Sequence, residues 1–158
     1  MKRKEKKHRD NLDQIIHKAQ ICHLACSRND EPYVVPLSFG YDGEAVYFHT
    51  AQEGKKIDFL KSNPLVCLSF EHNIKIQPNA DLACKWSFAF SSVIITGNAE
   101  ELSSPQDKLE GLNRIMFHYS NREWDIPLEE LSRTKVWKVI IHTINGKKSP
   151  ADQDFDKT

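Results

Sequence analysis

Long apolar runs are absent from this sequence. No stretch approaches the roughly 20 consecutive apolar residues that a membrane-spanning helix needs. No apolar segment follows the charged residues at the amino terminus, as it would in a secretory signal. We therefore expect a soluble, cytoplasmic protein. The glycine-rich signature of a phosphate-binding P-loop is also missing.

Cysteine occurs at only four positions, which are Cys22, Cys26, Cys67 and Cys84. Disulfide bonds are not expected, because no secretory signal directs the chain to an oxidising compartment. On a strand, Cys22 and Cys26 would share one face while His23 points to the other. No second Cys/His pair follows at zinc-site spacing. The sequence therefore predicts no metal site and favours buried, reduced cysteines.

Charge of one sign does not dominate, since the formal net charge is zero, but the charge is unevenly distributed. Residues 1–10 hold six Lys or Arg against two Asp or Glu. Such an arm can bind nucleic acid or an anionic membrane. No other basic patch extends it, so a solvated, flexible arm, partly disordered or forming a brief helical lead-in, is favoured and a nucleic-acid partner is not expected.

The hydrophobic pattern predicts six strands and three helices. They succeed one another as a meander with inserted helices rather than as βαβ repeats. This order favours a mainly β (α+β) fold, an antiparallel barrel with peripheral helices. The predicted strands are 21–27, 33–39, 45–50, 65–70, 88–101 and 136–143, and the predicted helices are 11–20, one within 51–61, and 104–119. The domain spans residues 11–150 between the arm and a predicted disordered tail, 151–158.

Local signals refine this pattern. Pro36 lacks an N–H group, so its strand should lie at an edge or carry a bulge. Asp42-Gly43 predicts a tight hairpin, and Gly97 predicts a bulge in a long strand. Residues 72–85 show no clean period and are predicted to form a loop, while 145–146 (Asn-Gly) predicts a turn.

The segment 49–56 is the most informative for function. A strand ends there, a hydroxyl and a glycine follow, and Lys55 and Lys56 lie in the first turn of the next helix. Cations at a helix amino terminus are disfavoured by about 0.3–1 kcal/mol each, and a bound anion would remove the conflict. Free N–H groups, Thr50 and the lysines could together hold a phosphate group. Ordinary surface lysines are the alternative.

Six segments together form a recognisable pattern: 35–43, 46–51, 54–56, 91–100, 104–108 and 136–148. They resemble the pyridoxamine 5′-phosphate oxidase-like flavoproteins, and most closely their nitroimidazole-resistance-related branch. Each is moderately specific, and their order and spacing over residues 12–150 make the resemblance much more so.

The resemblance implies a six-stranded antiparallel split β-barrel that forms a homodimer, with two FMN sites between the subunits. In such proteins one strand lies along the isoalloxazine ring, a second segment holds the ribityl and phosphate groups, and a third approaches the cofactor. The implied cofactor-binding residues are Val35, Pro36, Leu37, Ser38, His49, Thr50, Ala51, Gly54, Lys55, Lys56, Ser91, Ser92 and Val93. FAD presents similar phosphate atoms and stays open as the cofactor.

The resemblance also implies a catalytic residue and a reaction. His49 matches a histidine that lies near the flavin, where it could donate a hydrogen bond or move a proton during reduction. A structural histidine is the alternative. The implied function is a flavin-dependent oxidoreductase that reduces a small acceptor such as a nitroaromatic compound. Arg133 is the last arginine, so the arginine-rich substrate site of true pyridoxamine phosphate oxidases is missing.

Two other functions stay open at this point. A flavin carrier, sensor or store would bind the cofactor without turnover. A haem protein of the same fold would need an axial ligand, and no local motif selects one. The available histidines are His8, His17, His23, His49, His72, His118 and His142.

Overall fold

The computed structural model describes residues 3–150, and their side chains from residue 5 onward. The predicted tail, 151–158, lies outside the described residues. Within the described part of the chain, no helix is long and apolar enough to cross a bilayer.

One antiparallel sheet carries the fold, with strands in the order β2-β1-β5-β6-β7-β4-β3. It has seven strands rather than the predicted six, because a two-residue strand, β3, forms where the Asp42-Gly43 hairpin folds back on β4. The sheet curves around a core in the manner of a split barrel. The strands are β1 (Cys22–Arg28), β2 (Glu31–Leu37), β3 (Gly40–Tyr41), β4 (Ala45–Thr50), β5 (Leu65–Gln77), β6 (Ser87–Leu102) and β7 (Lys135–Ser149).

Four α-helices surround the sheet. They are α1 (Arg3–Lys18), α2 (Lys55–Ser62), α3 (Pro105–Ser120) and α4 (Leu128–Arg133). Helix α3 begins as its sequence predicts, since the Ser104 side chain accepts a hydrogen bond from the Asp107 N–H at 3.1 Å and Pro105 takes the first helical position.

Helix α1 begins earlier than predicted and includes most of the segment expected to be a flexible arm. Its early turns are held by Arg9, whose Nε donates to Asp13 at 3.0 Å and whose Nη2 donates to the Gly43 carbonyl at 2.8 Å. Lys, Arg and Glu are good helix formers, so the basic composition also suits a helix. Residues 3–10 are therefore a helical extension tied to the β3–β4 hairpin.

Two long strands extend beyond the predicted limits. Strand β5 runs through part of the predicted 72–85 loop, and β7 runs through the predicted turn at 145–146. In both cases β6 supplies the partner, because Glu71 lies opposite Ser92 and Gly146 lies opposite Val93. Pairing across the sheet therefore overrides the local turn signal. The predictions of an edge at Pro36 and a bulge at Gly97 are confirmed.

Strand alternation separates an inner from an outer face of the sheet. Cys22, Leu24 and Cys26 of β1 pack into the core with four fully buried phenylalanines, whereas His23 points to the outer face. All four cysteines are free. Cys22 and Cys26 are buried as predicted, while Cys67 is half-buried and Cys84 is exposed, so the prediction fails for these two.

Candidate functional site

The pairing register places Pro36 and Ser92 on the outer face of the same sheet. Pro36 of β2 lies opposite His23 of β1, and His23 lies opposite Ser69 of β5. Two residues further along β5, and therefore on the same face, Glu71 lies opposite Ser92 of β6. Three inter-strand spacings separate β2 from β6, which is roughly 14 Å.

The neighbouring residues of these strands turn inward. Val35 and Leu37 pack against the core, and Val93 is fully buried. Ser91 is also buried, and Ser38 is half-buried just after the end of β2. Any contact of Val35, Leu37 or Val93 with a ligand on the outer face must therefore come from backbone atoms.

The junction between β4 and α2 brings together the other predicted residues. His49 and Ala51 are exposed, whereas Thr50 is buried between them. The Thr50 hydroxyl accepts a hydrogen bond from Trp137 Nε1 at 3.0 Å and donates to the Ala51 carbonyl at 2.9 Å. That hydroxyl already has partners inside the chain, so it is a poorer phosphate donor than the sequence suggested.

The start of α2 presents free backbone donors. Gly54 stands before the helix at φ 136°, a conformation that glycine adopts without a steric penalty, and no side chain caps the helix. Its carbonyl accepts from the N–H groups of Ile57 and Asp58. Within residues 3–150, the N–H groups of Lys55 and Lys56 form no such bond, as expected for the first turn of a helix.

The two lysines of this turn differ sharply. Lys55 Nζ lies 2.9 Å from Glu31 Oε1 and above the rings of Tyr33 and Phe59. This contact lowers the pKa of the Glu31 carboxyl. Lys56 is half-buried and forms no hydrogen bond or ion pair within the described chain. Lys56 is therefore the cation that is free to receive an anion.

The positive charge of Lys56 acts on three titratable groups of neighbouring strands. The pKa of His49 is lowered from 6.5, first by partial desolvation of the ring, which is in part shielded although the residue as a whole is exposed, and second by the positive charge of Lys56. The same charge partly opposes the increase in pKa that burial causes at Cys22 and Cys26. The positive charge of Lys56 therefore disfavours the protonated form of His49.

Sequence reasoning missed a polar cluster between the predicted segments. Ser69 donates a hydrogen bond to Glu71 Oε1, and His23 Nδ1 lies 3.6 Å from Glu71 Oε2. Strand alternation already placed His23 on the outer face. Glu71 could not be found in this way, because the predicted strand ended at residue 70.

The donor set at the β4–α2 junction fits a phosphate group. Two backbone N–H groups, the amino terminus of a helix and a lysine without a partner among the described residues belong to the same helical turn, and these are the groups that phosphate sites use. Within residues 3–150, no three His, Cys, Asp or Glu side chains are grouped so that they could hold a metal ion. A separate cavity of about 360 Å³ lies against α3, lined by residues such as Glu110 and Arg114.

Comparison with solved structures supports the same architecture. A proposed 5-nitroimidazole antibiotic resistance protein of Bacteroides thetaiotaomicron is 30% identical, with a TM-score of 0.77 over 87% of this chain and 81% of that one. The FAD and haem binding protein of Mycobacterium smegmatis is 18% identical, with a TM-score of 0.79 over 92% of this chain and 73% of that one. At this identity the second likeness shows the fold alone.

Sequence comparisons identify the family. An uncharacterized protein of Rhizobium meliloti (strain 1021) is 31% identical over 98 residues, which span 62% of this chain and 57% of that protein. The profile of the family described as pyridoxamine 5′-phosphate oxidase matches residues 8–148, nearly the whole described chain. This protein is therefore a member of the pyridoxamine 5′-phosphate oxidase family.

Proposed function

We propose that this protein binds FMN in a homodimer and uses it to reduce a small acceptor such as a nitroaromatic compound. The observation that carries the proposal is the unpaired Lys56 beside the free N–H groups at the start of α2. A phosphate group there would relieve the unfavourable placement of a cation at a helix amino terminus.

The related proteins support a flavin as the ligand. The neighbour from Mycobacterium smegmatis is an FAD and haem binding protein, and the Bacteroides neighbour is a proposed 5-nitroimidazole resistance protein. Both likenesses cover more than four fifths of this chain. A flavin on the outer face, with its phosphate at Lys56, would agree with the names of both neighbours.

Each predicted residue then takes a defined task. Lys56 and the backbone of residues 54–56 hold the phosphate, while Lys55 contributes after leaving Glu31. The backbone of β2 around Pro36 lies along the ring, and Ser92 approaches it from β6. The lowered pKa of His49 favours its neutral form, which can donate one hydrogen bond and accept another at the cofactor. The bound flavin supplies the electron transfer, and the protein supplies orientation and electrostatics.

A homodimer supplies the second wall of the site. The outer face is a sheet surface, and a flat ring on it would stay open to water on one side. Val34 and Ile94 are exposed on that face, 62% and 41% respectively, which leaves apolar area for a second copy to cover. Light scattering after gel filtration should give a mass near twice the 18.2 kDa of one chain. A strictly monomeric protein that still binds flavin would contradict the shared site.

Calorimetric titration of the cofactor-free protein with FMN, FAD and riboflavin tests the binding itself. FMN should bind most tightly, and riboflavin should bind more weakly because it lacks the phosphate. Equal affinity for FMN and riboflavin would contradict a phosphate site at Lys56. A haem titration of the same sample tests the haem alternative.

Turnover separates an oxidoreductase from a flavin carrier. The loaded protein is reduced with dithionite and mixed with a 5-nitroimidazole, and the return of oxidised-flavin absorbance is followed. Reoxidation faster than that of free reduced FMN supports an oxidoreductase. Slower reoxidation than free FMN supports a carrier or store. A cytoplasmic location stays a prediction.

A further inference from the structure

The outer face carries a histidine, a carboxylate and a hydroxyl that the phosphate site does not use. Ser69 donates to one oxygen of Glu71, and His23 Nδ1 lies 3.6 Å from the other. This second contact is within ion-pair range and longer than a hydrogen bond. The serine orients the carboxylate, and the carboxylate faces one nitrogen of the imidazole ring.

The cluster lies between the two strands that are proposed to contact the flavin ring. His23 is the cross-strand neighbour of Pro36, and Glu71 is the cross-strand neighbour of Ser92. Directly opposed side chains in a sheet lie about 5 Å apart at Cβ. The side chain of His23 is 43% exposed, so its ring is open to a ligand on this face.

The arrangement leaves Nε2 available. Nδ1 is the ring nitrogen that faces Glu71, and no hydrogen bond or ion pair to Nε2 occurs among residues 3–150. A carboxylate at ion-pair distance from one ring nitrogen favours the ring orientation that turns the other nitrogen away from it. A further charged residue, Lys147 of β7, lies opposite Ser92 in the sheet.

We propose that His23 is the proton donor to the acceptor that the reduced flavin reduces, with Glu71 and Ser69 as its positioning residues. This rests on the proposed function. Hydride transfer is the chemistry that a bound, reduced flavin would supply. For a quinone acceptor, the hydride would bring two electrons and one proton, and His23 Nε2 would donate the second proton to the quinone oxygen. The balance would give oxidised flavin, the hydroquinone and a neutral His23, which would regain its proton from water. The site would therefore take small planar acceptors whose oxygen gains negative charge on reduction.

Imidazole NMR of the protein, with and without FMN, tests the position of His23. The ring signals of His23 should shift when FMN binds, whereas those of His142, which is exposed on β7, should not. If FMN binds and the His23 signals do not move, the position is wrong while the proposed function stands. If FMN does not bind at all, both proposals fall.

Stopped-flow reoxidation by menadione tests the role. The protein is loaded with FMN and reduced with dithionite, so no natural electron donor is needed. His23→Ala should slow reoxidation about 100-fold, in the range of general acid catalysis, and imidazole in the buffer should restore part of the rate. Glu71→Gln should slow it less, and His142→Ala serves as the matched control.

The readouts separate a proton donor from a structural residue. FMN affinity and melting temperature of His23→Ala should stay at the level of the control variant. A reoxidation rate equal to that of His142→Ala would overturn the role of His23. A slow variant that imidazole does not rescue would also overturn it, because a missing donor can be replaced from solution and a distorted site cannot.

Discussion

Lys56 should contribute more to FMN affinity than Lys55, although the two are adjacent and chemically identical. The test pair is Lys56→Met and Lys55→Met, because methionine keeps much of the aliphatic stem and removes the charge. A hydrogen bond to a charged group contributes about 1.5–3 kcal/mol. Loss of that bond at Lys56 should weaken FMN binding roughly 10- to 150-fold.

The expected difference comes from the partners of the two lysines. Lys55 already contacts Glu31 at 2.9 Å and lies above two aromatic rings, and these contacts must break before it reaches a phosphate group. Lys56 has no such contact to lose within the described residues. Lys55→Met should therefore weaken FMN binding by less than Lys56→Met.

Quenching of flavin fluorescence gives the assay, with FMN and riboflavin titrated side by side. Lys56→Met should weaken FMN binding and leave riboflavin binding nearly unchanged, since only FMN carries the phosphate. Higher salt should reduce the difference between the two ligands in the parent protein. Equal losses for FMN and riboflavin in Lys56→Met would refute the reasoning, as would a larger loss in Lys55→Met.

Three further predictions concern the framework of the site. Thr50→Val leaves the buried Trp137 Nε1 without its acceptor and should lower the free energy of unfolding by about 1–3 kcal/mol in urea, with FMN affinity little changed. Thr50→Ser keeps the hydroxyl group and should restore the stability. A Thr50→Val variant that stays stable but no longer binds FMN would contradict the structural role of the Thr50 hydroxyl. Gly40→Ala places a Cβ in collision with the backbone carbonyl group of Arg114 and should cost about 3 kcal/mol or prevent folding. Parent-like urea stability of that variant would contradict the tight packing of β3 on α3. Burial lowers the pKa of His118 from 6.5, so the unfolded chain binds its proton more readily and stability should fall as pH drops below about 6.5. In urea titrations between pH 7.5 and 5.5, the free energy of unfolding of His118→Gln should depend less on pH than that of the parent protein. An unchanged pH dependence would contradict the role of His118.

The sequence predicts an element correctly where a single local signal determines it. The six main strands, the Ser104-Pro105 helix start and the edge position of Pro36 are as expected. Each depends on a local property, such as alternation, a capping hydroxyl or a missing N–H group. The Asn145-Gly146 turn fails, because its residues pair with β6, a partner more than 50 positions away in the chain.

The candidate site shows the same limit. The residue types around Lys56 were found from the sequence, but their partners could not be, since Glu31 and Trp137 reach the site through the fold. The sequence ranked Lys55 and Lys56 equally, and only the three-dimensional contacts separate them. Glu71 was missed because the register of a long β5–β6 hairpin sets which side chains meet on the outer face.

The visible absorption spectrum of the purified protein, with the released cofactor identified by mass, tests the central claim most directly. The account predicts the spectrum of an oxidised flavin and the mass of FMN. A Soret band would indicate haem instead. A colourless protein that also fails to take up added FMN would contradict the flavin site.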